Sequence, residues 1–408
     1  MPPRRRALPA AVARGALLAP GPPLGAAPAH ADSIRDQQQW ALDAINAPEA
    51  WETTRGAGVT VAVLDTGVDA SHPDLMGAVL DGHDFVGMGA EPGDPLWAEH
   101  GTAMAGIIAG RGHGADHGDG VLGVAPEAEI LPVRVLLEDN DPDRDEARET
   151  RSGALAEGIR WATDHGADVI NLSLGDDSES AHPDPEEDAA VRYALSQGVV
   201  VVASAGNGGE NGNPVSYPAG YPGVIAVTAV DRGGSPTEFS TRRWYATLSA
   251  PGQDVIVADP DRDYYTGWGT SAAAAFVSGS AALLCAAYPD LSPAQIRQLL
   301  TDTAPNPPEG GRSDALGSGT VDPAAALEAA EAFTASGPAD AVGDYTGEYF
   351  GPGPRPEASG SSGTAWLAPV SGALGVLLLG ASVALTGGTA RLRARFRRRA
   401  AGRAGLPY

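Results

Sequence analysis

The sequence contains one cysteine and no lysine, and both absences limit what the protein can be. A single cysteine, Cys285, allows no intramolecular disulfide, so an exported domain would depend on its hydrophobic core alone. Cys285 lies in an apolar, alanine-rich run, which favours a buried structural thiol over a nucleophile. Aromatic residues make up only 6%, but 43% of the 408 residues are hydrophobic, which excludes wholesale disorder.

Because lysine is absent, all basic residues are arginines, and they are concentrated at the two ends of the chain. The formal net charge is −25, and all 52 acidic residues lie between the arginine-rich ends. A surface this acidic repels phosphate backbones, so we expect no nucleic-acid partner.

The N-terminus has the pattern of a secretory signal peptide. Arg4, Arg5 and Arg6 are followed by an alanine- and leucine-rich stretch and then by Ala29 and Ala31 around a single residue. A positive head, an apolar middle and small residues before the junction are typical of exported proteins. We therefore predict a signal peptide at residues 1–31, followed by an N-terminal extension at residues 32–54.

A second apolar segment, near the C-terminus, predicts a membrane anchor. Residues 366–388 carry no charge over 23 residues, which at 1.5 Å per residue can cross a hydrocarbon layer about 30 Å thick. The arginine-rich residues 389–408 follow directly, and positive flanks stay in the cytoplasm. Residues 334–365 are rich in glycine, proline and acids and are predicted to form a flexible extracellular stalk. The sequence thus predicts a single-pass protein of the cell membrane, with its body outside and its tail in the cytoplasm.

Between these ends, residues 55–333 alternate between strand-like and helix-like patterns. Short β-branched runs, typical of strands buried on both faces, occur at residues 59–64, 130–136, 168–174, 199–204 and 224–230. Helix-like stretches occur at residues 151–165, 186–197, 272–287, 293–301 and 323–333. Such alternation predicts an α/β fold with a mainly parallel sheet flanked by helices, in three layers.

Three residues of this body together have the chemistry of an activated serine. Asp65 follows four apolar strand residues, which places it at the carboxyl edge of the sheet, where functional side chains cluster. His100 opens a run of small residues typical of a tightly packed helix start. Ser271 begins an alanine-rich helix, whose terminal amides favour a developing oxyanion. Taken alone, Asp65 is as often an ordinary strand-end acid, the histidine is more often a loop residue, and the serine is more often a helix N-cap.

Together the three residues indicate a catalytic triad. A serine hydroxyl is a poor nucleophile until a histidine removes its proton, and a carboxylate must hold that histidine in the useful tautomer. The chain order Asp65, His100, Ser271 is one of the known orders of such triads. Activity should then rise as His100 loses its proton, at about pH 6–7 for an ordinary histidine.

Around these residues, the sequence resembles the subtilases over roughly residues 51–333. The matching segments are residues 63–69, 71–75, 100–102, 120–126, 168–175, 205–207, 217–218, 224–227 and 269–271. The resemblance implies a subtilisin-like three-layer fold and a serine endopeptidase that forms an acyl-enzyme intermediate on protein or peptide substrates. It also implies that Asn207 and the Ser271 amide hold the oxyanion. By the same resemblance, Ser173, Leu174 and Gly175 pair with the substrate as an added strand.

Within the subtilases, the sequence is similar to the mycosins, the proteases associated with actinobacterial type VII secretion. Residues 32–51 resemble their mature start, and a single C-terminal helix with a basic tail has their layout. The segment before the first strand is too short for a folded inhibitory prodomain. The resemblance implies two partners, the plasma membrane and a type VII secretion membrane complex. An alternative function is that of a structural subunit of a secretion complex whose proteolysis is dispensable.

The sequence also departs from these families. Ala275 stands where subtilases nearly always carry proline, and mycosins usually have cysteine pairs. Asp74 matches a calcium ligand, but the rest of that site is not recognisable, so calcium is not assignable and no cofactor is predicted. His113 and His117 lie in a long loop at residues 111–119 and leave a zinc site open. The default interpretation is a solvated loop, so no metal site is predicted.

Overall fold

The structure, a computed structural model, describes residues 33–176 and 181–334. The predicted signal peptide (residues 1–31), membrane helix (366–388) and cytoplasmic tail (389–408) lie outside the described residues, as does the predicted stalk beyond Thr334. Most of the N-terminal extension and the predicted peptidase body, except residues 177–180, lie within them.

The described residues form nine α-helices and eleven strands. The helices are α1 (Ser33–Ala44), α2 (Ala47–Ala50), α3 (Glu99–Ala109), α4 (Arg144–Thr150), α5 (Ala154–Asp164), α6 (Pro185–Ser196), α7 (Thr270–Ala287), α8 (Pro293–Asp302) and α9 (Pro323–Thr334). The strands are β1 (Thr60–Asp65), β2 (His83–Asp84), β3 (Arg111–His113), β4 (Asp119–Leu122), β5 (Glu129–Arg134), β6 (Val169–Leu172), β7 (Val200–Ser204), β8 (Ile225–Val230), β9 (Ala246–Pro251), β10 (Val255–Ala258) and β11 (Tyr264–Gly267).

Seven of these strands form one sheet in the order β2-β5-β1-β6-β7-β8-β9, and every pair in it is parallel. The predicted α/β fold with a mainly parallel sheet is confirmed. The five predicted strands and the five predicted helices are all present, with ends displaced by a few residues at most. The sequence missed β9, in which threonine, serine and proline interrupt the apolar run although all six residues are buried.

Helices cover both faces of the sheet, as the double burial of its strands requires. On one face, Val61 and Val63 of β1 join a core cluster with residues of α3 and α7. On the other face, Leu64 points towards α5, where a Cβ on Gly158 would lie 3.5 Å from the leucine side chain. Successive residues of β1 therefore face different helical layers, which gives the three-layer architecture.

Helix α7 packs against the sheet and against α3, α8 and α9, and it carries Ser271 in its first turn. Among the described residues, it is the helix whose length and apolar composition would suffice to cross a membrane. In this fold 78% of that apolar stretch is buried, as expected of a core helix.

The N-terminal extension packs onto the same core. Ala41, Leu42 and Ile45 are fully buried in it. The Gln38 side chain donates to Leu122 O at 2.7 Å and accepts from Leu122 N at 2.9 Å. The extension is therefore structurally part of the α/β domain.

Candidate active site

Asp65 is the last residue of β1, which lies at the point where the strand order of the sheet reverses. Its neighbour on one side is β5 and on the other is β6, and crevices at such points bind ligands in α/β sheets. The Asp65 side chain is fully buried, and its Oδ1 accepts a hydrogen bond from Thr66 N at 2.8 Å. Its Oδ1 and Oδ2 lie 2.8 and 3.0 Å from His100 Nδ1. A buried carboxylate so placed keeps the proton of the neutral imidazole on Nδ1 and leaves Nε2 as the base.

His100 reaches Asp65 because α3 begins unusually close to β1. A Cβ on Gly101 would lie 1.9 Å from Gly67 O and 3.2 Å from the Asp65 Cβ. Any side chain at this position would push the helix away from the strand and separate the imidazole from the carboxylate. The glycine beside His100 is therefore a requirement of the site's geometry.

Glu138 is a member of the site that sequence reasoning missed. Its Oε1 accepts from His100 N at 3.0 Å, while Thr66 Oγ1 accepts from Gly101 N at 3.1 Å. Helix α3 needs these partners because its N-cap residue, Ala98, has no side-chain acceptor for the first amides. The cap comes from a loop 38 residues further along the chain, so no local pattern predicts it.

Carboxylates surround His100 and control its proton. Burial by itself lowers the pKa of His100, but the charge and hydrogen bond of Asp65, with further attraction from Glu138 and Asp139, raise it to about 9. The sequence-based expectation of a pKa near 6–7 is therefore too low. Glu138 is itself only 9% exposed, and its burial raises the pKa of its carboxyl group.

Ser271 lies at the N-terminal end of α7, facing the same cavities as His100. Its hydroxyl donates to Ser173 O at 3.1 Å, and the Ser173 hydroxyl donates to Ser271 O at 2.9 Å. These two bonds tie the start of α7 to the end of β6. Hydrogen bonds of a nucleophile in a ligand-free site often shift to the base only when substrate binds.

Asn207 and the backbone of Ser271 border one small space. Asn207 Oδ1 accepts from both the amide and the hydroxyl of Thr270 at 3.0 Å, so its orientation leaves Nδ2 as the donor group. A Cβ on Gly269 would lie 3.7 Å from Asn207 Nδ2 and 3.7 Å from Ser271 N. Because residue 269 is glycine, with φ of 142°, this space stays open between the two donors.

Ser173, Leu174 and Gly175 follow β6 and line a cavity of about 1050 Å³ together with His100, Asn207 and Ser271. Directly after them, Asp176 pairs antiparallel with Tyr217 through two backbone hydrogen bonds of 3.0 and 3.3 Å. The segment is thus held at one end in strand pairing, in a position open to an extended peptide.

Asp74, the residue that matches a calcium ligand, has its carboxylate oxygens engaged by protein groups. Oδ2 accepts from Val121 N and the Tyr264 hydroxyl, both at 2.8 Å, and Oδ1 lies 2.6 Å from His113 Nδ1. Both carboxylate oxygens are thus engaged by nitrogen and hydroxyl groups of the protein, which does not fit a calcium site built from six to eight oxygen ligands. Within residues 33–176 and 181–334, no group of three or more potential metal-ligating side chains is assembled.

Cys285 packs against the hydrophobic core on α7. Burial, with a smaller contribution from Asp168, raises the pKa of its thiol to about 12. The thiol is therefore protonated at neutral pH, which favours a structural residue over a nucleophile.

A parallel α/β sheet with a serine and an aspartate-bound histidine lining the same cavities is typical of the serine hydrolases. The Subtilase family model matches residues 56–319, and the chain belongs to this family of subtilisin-like serine proteases. It is 40% identical to subtilisin DY of Bacillus licheniformis over 254 residues, and this aligned region covers 62% of this chain and 85% of the relative. Thermitase of Thermoactinomyces vulgaris is 38% identical over 67% of this chain and 90% of its own length.

Solved structures of mycosins are also similar. MycP1 from Mycobacterium smegmatis aligns with a TM-score of 0.60 and 32% identity, covering 71% of this chain and 84% of that one. The MycP3 protease from the type VII (ESX-3) secretion system aligns with a TM-score of 0.59 and 34% identity, covering 71% and 87%. The resemblance to subtilases and mycosins inferred from the sequence is confirmed.

Proposed function

We propose that this protein is a membrane-anchored, extracytoplasmic serine endopeptidase associated with type VII secretion. The observation that carries the proposal is the 2.8 Å contact between the buried Asp65 carboxylate and His100 Nδ1, beside Ser271 at a helix N-terminus. Asp65 orients His100, and His100 Nε2 removes the proton from the Ser271 hydroxyl as it attacks the peptide carbonyl.

The groups around the triad support the later steps. The oxyanion accepts hydrogen bonds from Asn207 Nδ2 and Ser271 N, which border the same space. Protonated His100 then gives its proton to the leaving amine, and water hydrolyses the acyl-enzyme by the same route in reverse. The extended substrate adds a strand to residues 173–175, so its scissile bond lies beside Ser271.

The link to secretion rests on relatives and on the ends of the chain. MycP1 and MycP3 are similar in fold and sequence, and MycP3 belongs to a type VII secretion system. The predicted signal peptide and the apolar residues 366–388 with their arginine-rich flank support an anchor that leaves the catalytic domain outside.

A fluorophosphonate probe tests the catalytic proposal. The purified protein should be labelled on Ser271, because the activated hydroxyl attacks the probe's phosphorus. Ser271→Ala should remove the label, and Ser235→Ala, at an exposed serine in another loop, should keep it. Equal labelling of the wild-type protein and Ser271→Ala would refute the triad. Labelling of Ser271 in a cell whose secretion is unaffected by Ser271→Ala would support the structural-subunit function instead.

Protease treatment of wall-free cells tests the anchoring. The catalytic domain should be digested from outside, while residues 389–408 with the spanning segment should remain as a short protected fragment. An epitope at the C-terminus detects this fragment, and permeabilised cells, in which it should disappear, serve as the control. Recovery of the mature chain from the medium with residues 366–388 intact would contradict the anchor.

The acidic limb of the pH profile should lie near pH 9. A raised pKa means that His100 holds its proton to higher pH, and only the neutral form above about pH 9 acts as the base. Glu138→Gln should move the midpoint of kcat/KM to lower pH, whereas Glu210→Gln, at an exposed position, should leave it unchanged. A midpoint that is the same in Glu138→Gln and wild type would exclude this influence of Glu138. The raised pKa of His100 also makes the free energy of unfolding depend on pH, because the folded state binds the proton more tightly than the unfolded state. The Asp65–His100 pair therefore stabilises the fold below about pH 6.5 and loses this contribution as the pH rises through about 9.

A further inference from the structure

Helix α3, which carries His100 in its first turn, is entered from a long irregular segment. Residues 85–98 connect β2 to α3 and contain neither helix nor strand. The last of them, Ala98, has a left-handed φ of 57° and no side-chain acceptor for the first amides of the helix. A residue with a Cβ pays free energy for this conformation, so contacts elsewhere must hold the segment in place.

Trp97 is the residue of this segment that contacts the turn after Asp65. A Cβ on Gly67 would lie only 3.1 Å from Trp97 Cζ2, and the glycine has a φ of 109°. The indole therefore packs directly on the backbone of this turn, where any side chain would crowd it. Because Trp97 also lies three residues before His100, one side chain links the segments that carry the carboxylate and the imidazole.

Arg134 holds the Trp97 ring. Its guanidinium carbon lies over the indole, 4.5 Å from the ring centroid, which is within the range of a cation–π contact. The arginine side chain is only 5% exposed, and its NH1 pairs with Asp84 Oδ2 at 3.1 Å. A cation–π contact is strongest when it is sheltered from water, as this one is.

The sheet fixes Arg134 at the level of Asp65. In the parallel register, Arg134 of β5 is the direct neighbour of Asp65 on β1 and of Asp84 on β2. Because direct neighbours point their side chains to the same face of a sheet, the guanidinium lies on the face that Asp65 presents to α3. The strands therefore set the positions of the carboxylate and of the group that holds Trp97 together.

Trp97 and Arg134 lie outside the space that a substrate would occupy. His100 and Ser271 border two cavities, and neither Trp97 nor Arg134 is among the described residues that line them. An effect of this pair on catalysis must therefore pass through the residues of the triad.

We propose that Trp97, held by Arg134, is a positioning residue of the peptidase, which fixes the start of α3 so that His100 Nδ1 stays within hydrogen-bond distance of Asp65. The proposal rests on the proposed peptidase function, because it takes His100 as the base. Without the ring, the start of the helix moves and the contact between imidazole and carboxylate lengthens. A displacement of about 1 Å at a catalytic group can lower a rate about 10²-fold.

Replacement of Trp97 tests this role through kcat. Trp97→Ala should lower kcat for a chromogenic peptide about 10²-fold and leave KM within about twofold, because the ring does not contact the substrate. Trp97→Phe keeps an aromatic face for Arg134 and should recover most of the lost rate.

A second arginine–tryptophan pair provides the matched control. The Arg232 guanidinium lies over the ring of Trp40 at 4.9 Å, and Trp40 belongs to α1 in the N-terminal extension. Trp40→Ala should lower the thermal unfolding midpoint but keep the wild-type kcat. A kcat in Trp97→Ala equal to that of Trp40→Ala would overturn the proposal.

A double-variant cycle tests whether Arg134 acts through Trp97. Arg134→Met removes the guanidinium and should lower kcat about tenfold, the scale of a sheltered cation–π contact. In the Trp97→Ala background the same substitution should have little further effect, because its partner is already absent. Arg232→Met, at the exposed arginine of the control pair, should leave kcat unchanged. Equal factors of loss in both backgrounds would overturn the pairing.

Titration of the His100 imidazole by NMR gives a measurement that does not depend on hydrolysis. Asp65, Glu138 and Asp139 together raise the pKa of His100 to about 9. Trp97→Ala changes no charge, so a longer contact with Asp65 should move the midpoint to lower pH, and the acidic limb of kcat/KM should move with it. An unchanged midpoint would overturn the positioning role. Absence of hydrolysis by the wild-type protein would instead overturn the peptidase function, and the NMR midpoint would still test the position of His100.

Discussion

Ser271→Ala and His100→Ala should each lower kcat for peptide hydrolysis by about 10⁶, the loss known for the corresponding residues of subtilisin, and the double variant should be no slower than either single one. The two side chains act in the same step, because the Ser271 hydroxyl attacks only when His100 removes its proton. Loss of either residue therefore removes the whole step. Asp65, hydrogen-bonded to His100 at 2.8 Å, should show a smaller but still large loss on replacement by asparagine, because the imidazole would then be held in the wrong tautomer.

Single-turnover and steady-state rates on one chromogenic peptide measure these losses. Ser235→Ala is the control for a serine substitution, and the thermal unfolding midpoint of every variant shows whether the fold is retained. Losses that add in the double variant, so that it is far slower than Ser271→Ala alone, would mean that the two side chains act separately and would contradict the triad.

Asn207→Ala should lower kcat by about 10² to 10³, the loss known for the corresponding donor in subtilisin, with little change in KM. The donor contacts an oxygen that becomes negative only in the transition state, so ground-state binding does not depend on it. Asn207 Oδ1 also holds the amide and hydroxyl of Thr270. Asn207→Asp keeps an acceptor for these groups while removing the donor, so it should be at least as slow as Asn207→Ala.

Asn211→Ala provides the matched control, since Asn211 is an exposed asparagine four positions further along the chain. It should retain wild-type kcat. A large rise in KM with unchanged kcat in Asn207→Ala would assign this side chain to substrate binding and would remove it from the oxyanion site.

Local sequence was sufficient for much of the fold. The strand ending at Asp65 and the helix beginning near Ser271 were both predicted from runs of apolar residues, because such runs indicate segments that are buried in the fold. Gly166 and Gly198 directly follow the helix-like stretches at residues 151–165 and 186–197, and both have positive φ, of 85° and 91°, because a left-handed residue follows many helices. Strand β9 was missed because tertiary burial, and not an apolar pattern, makes Thr247 and Ser249 strand residues.

The residue types and chain order of Asp65, His100 and Ser271, and the matching segments around them, are properties of the sequence by itself, and they sufficed to predict the family and the chemistry. Only the tertiary structure decided how the base is tuned and what surrounds it. Glu138 reaches the amide of His100 across 38 residues, and the cavity of about 1050 Å³ combines residues of α3, α5 and α7. The pKa of an imidazole depends on which charges lie within a few ångströms in a buried space. The volume of a cavity depends on which side chains line it and how far they extend into it. Both quantities arise from contacts between distant segments, which form only when the chain folds.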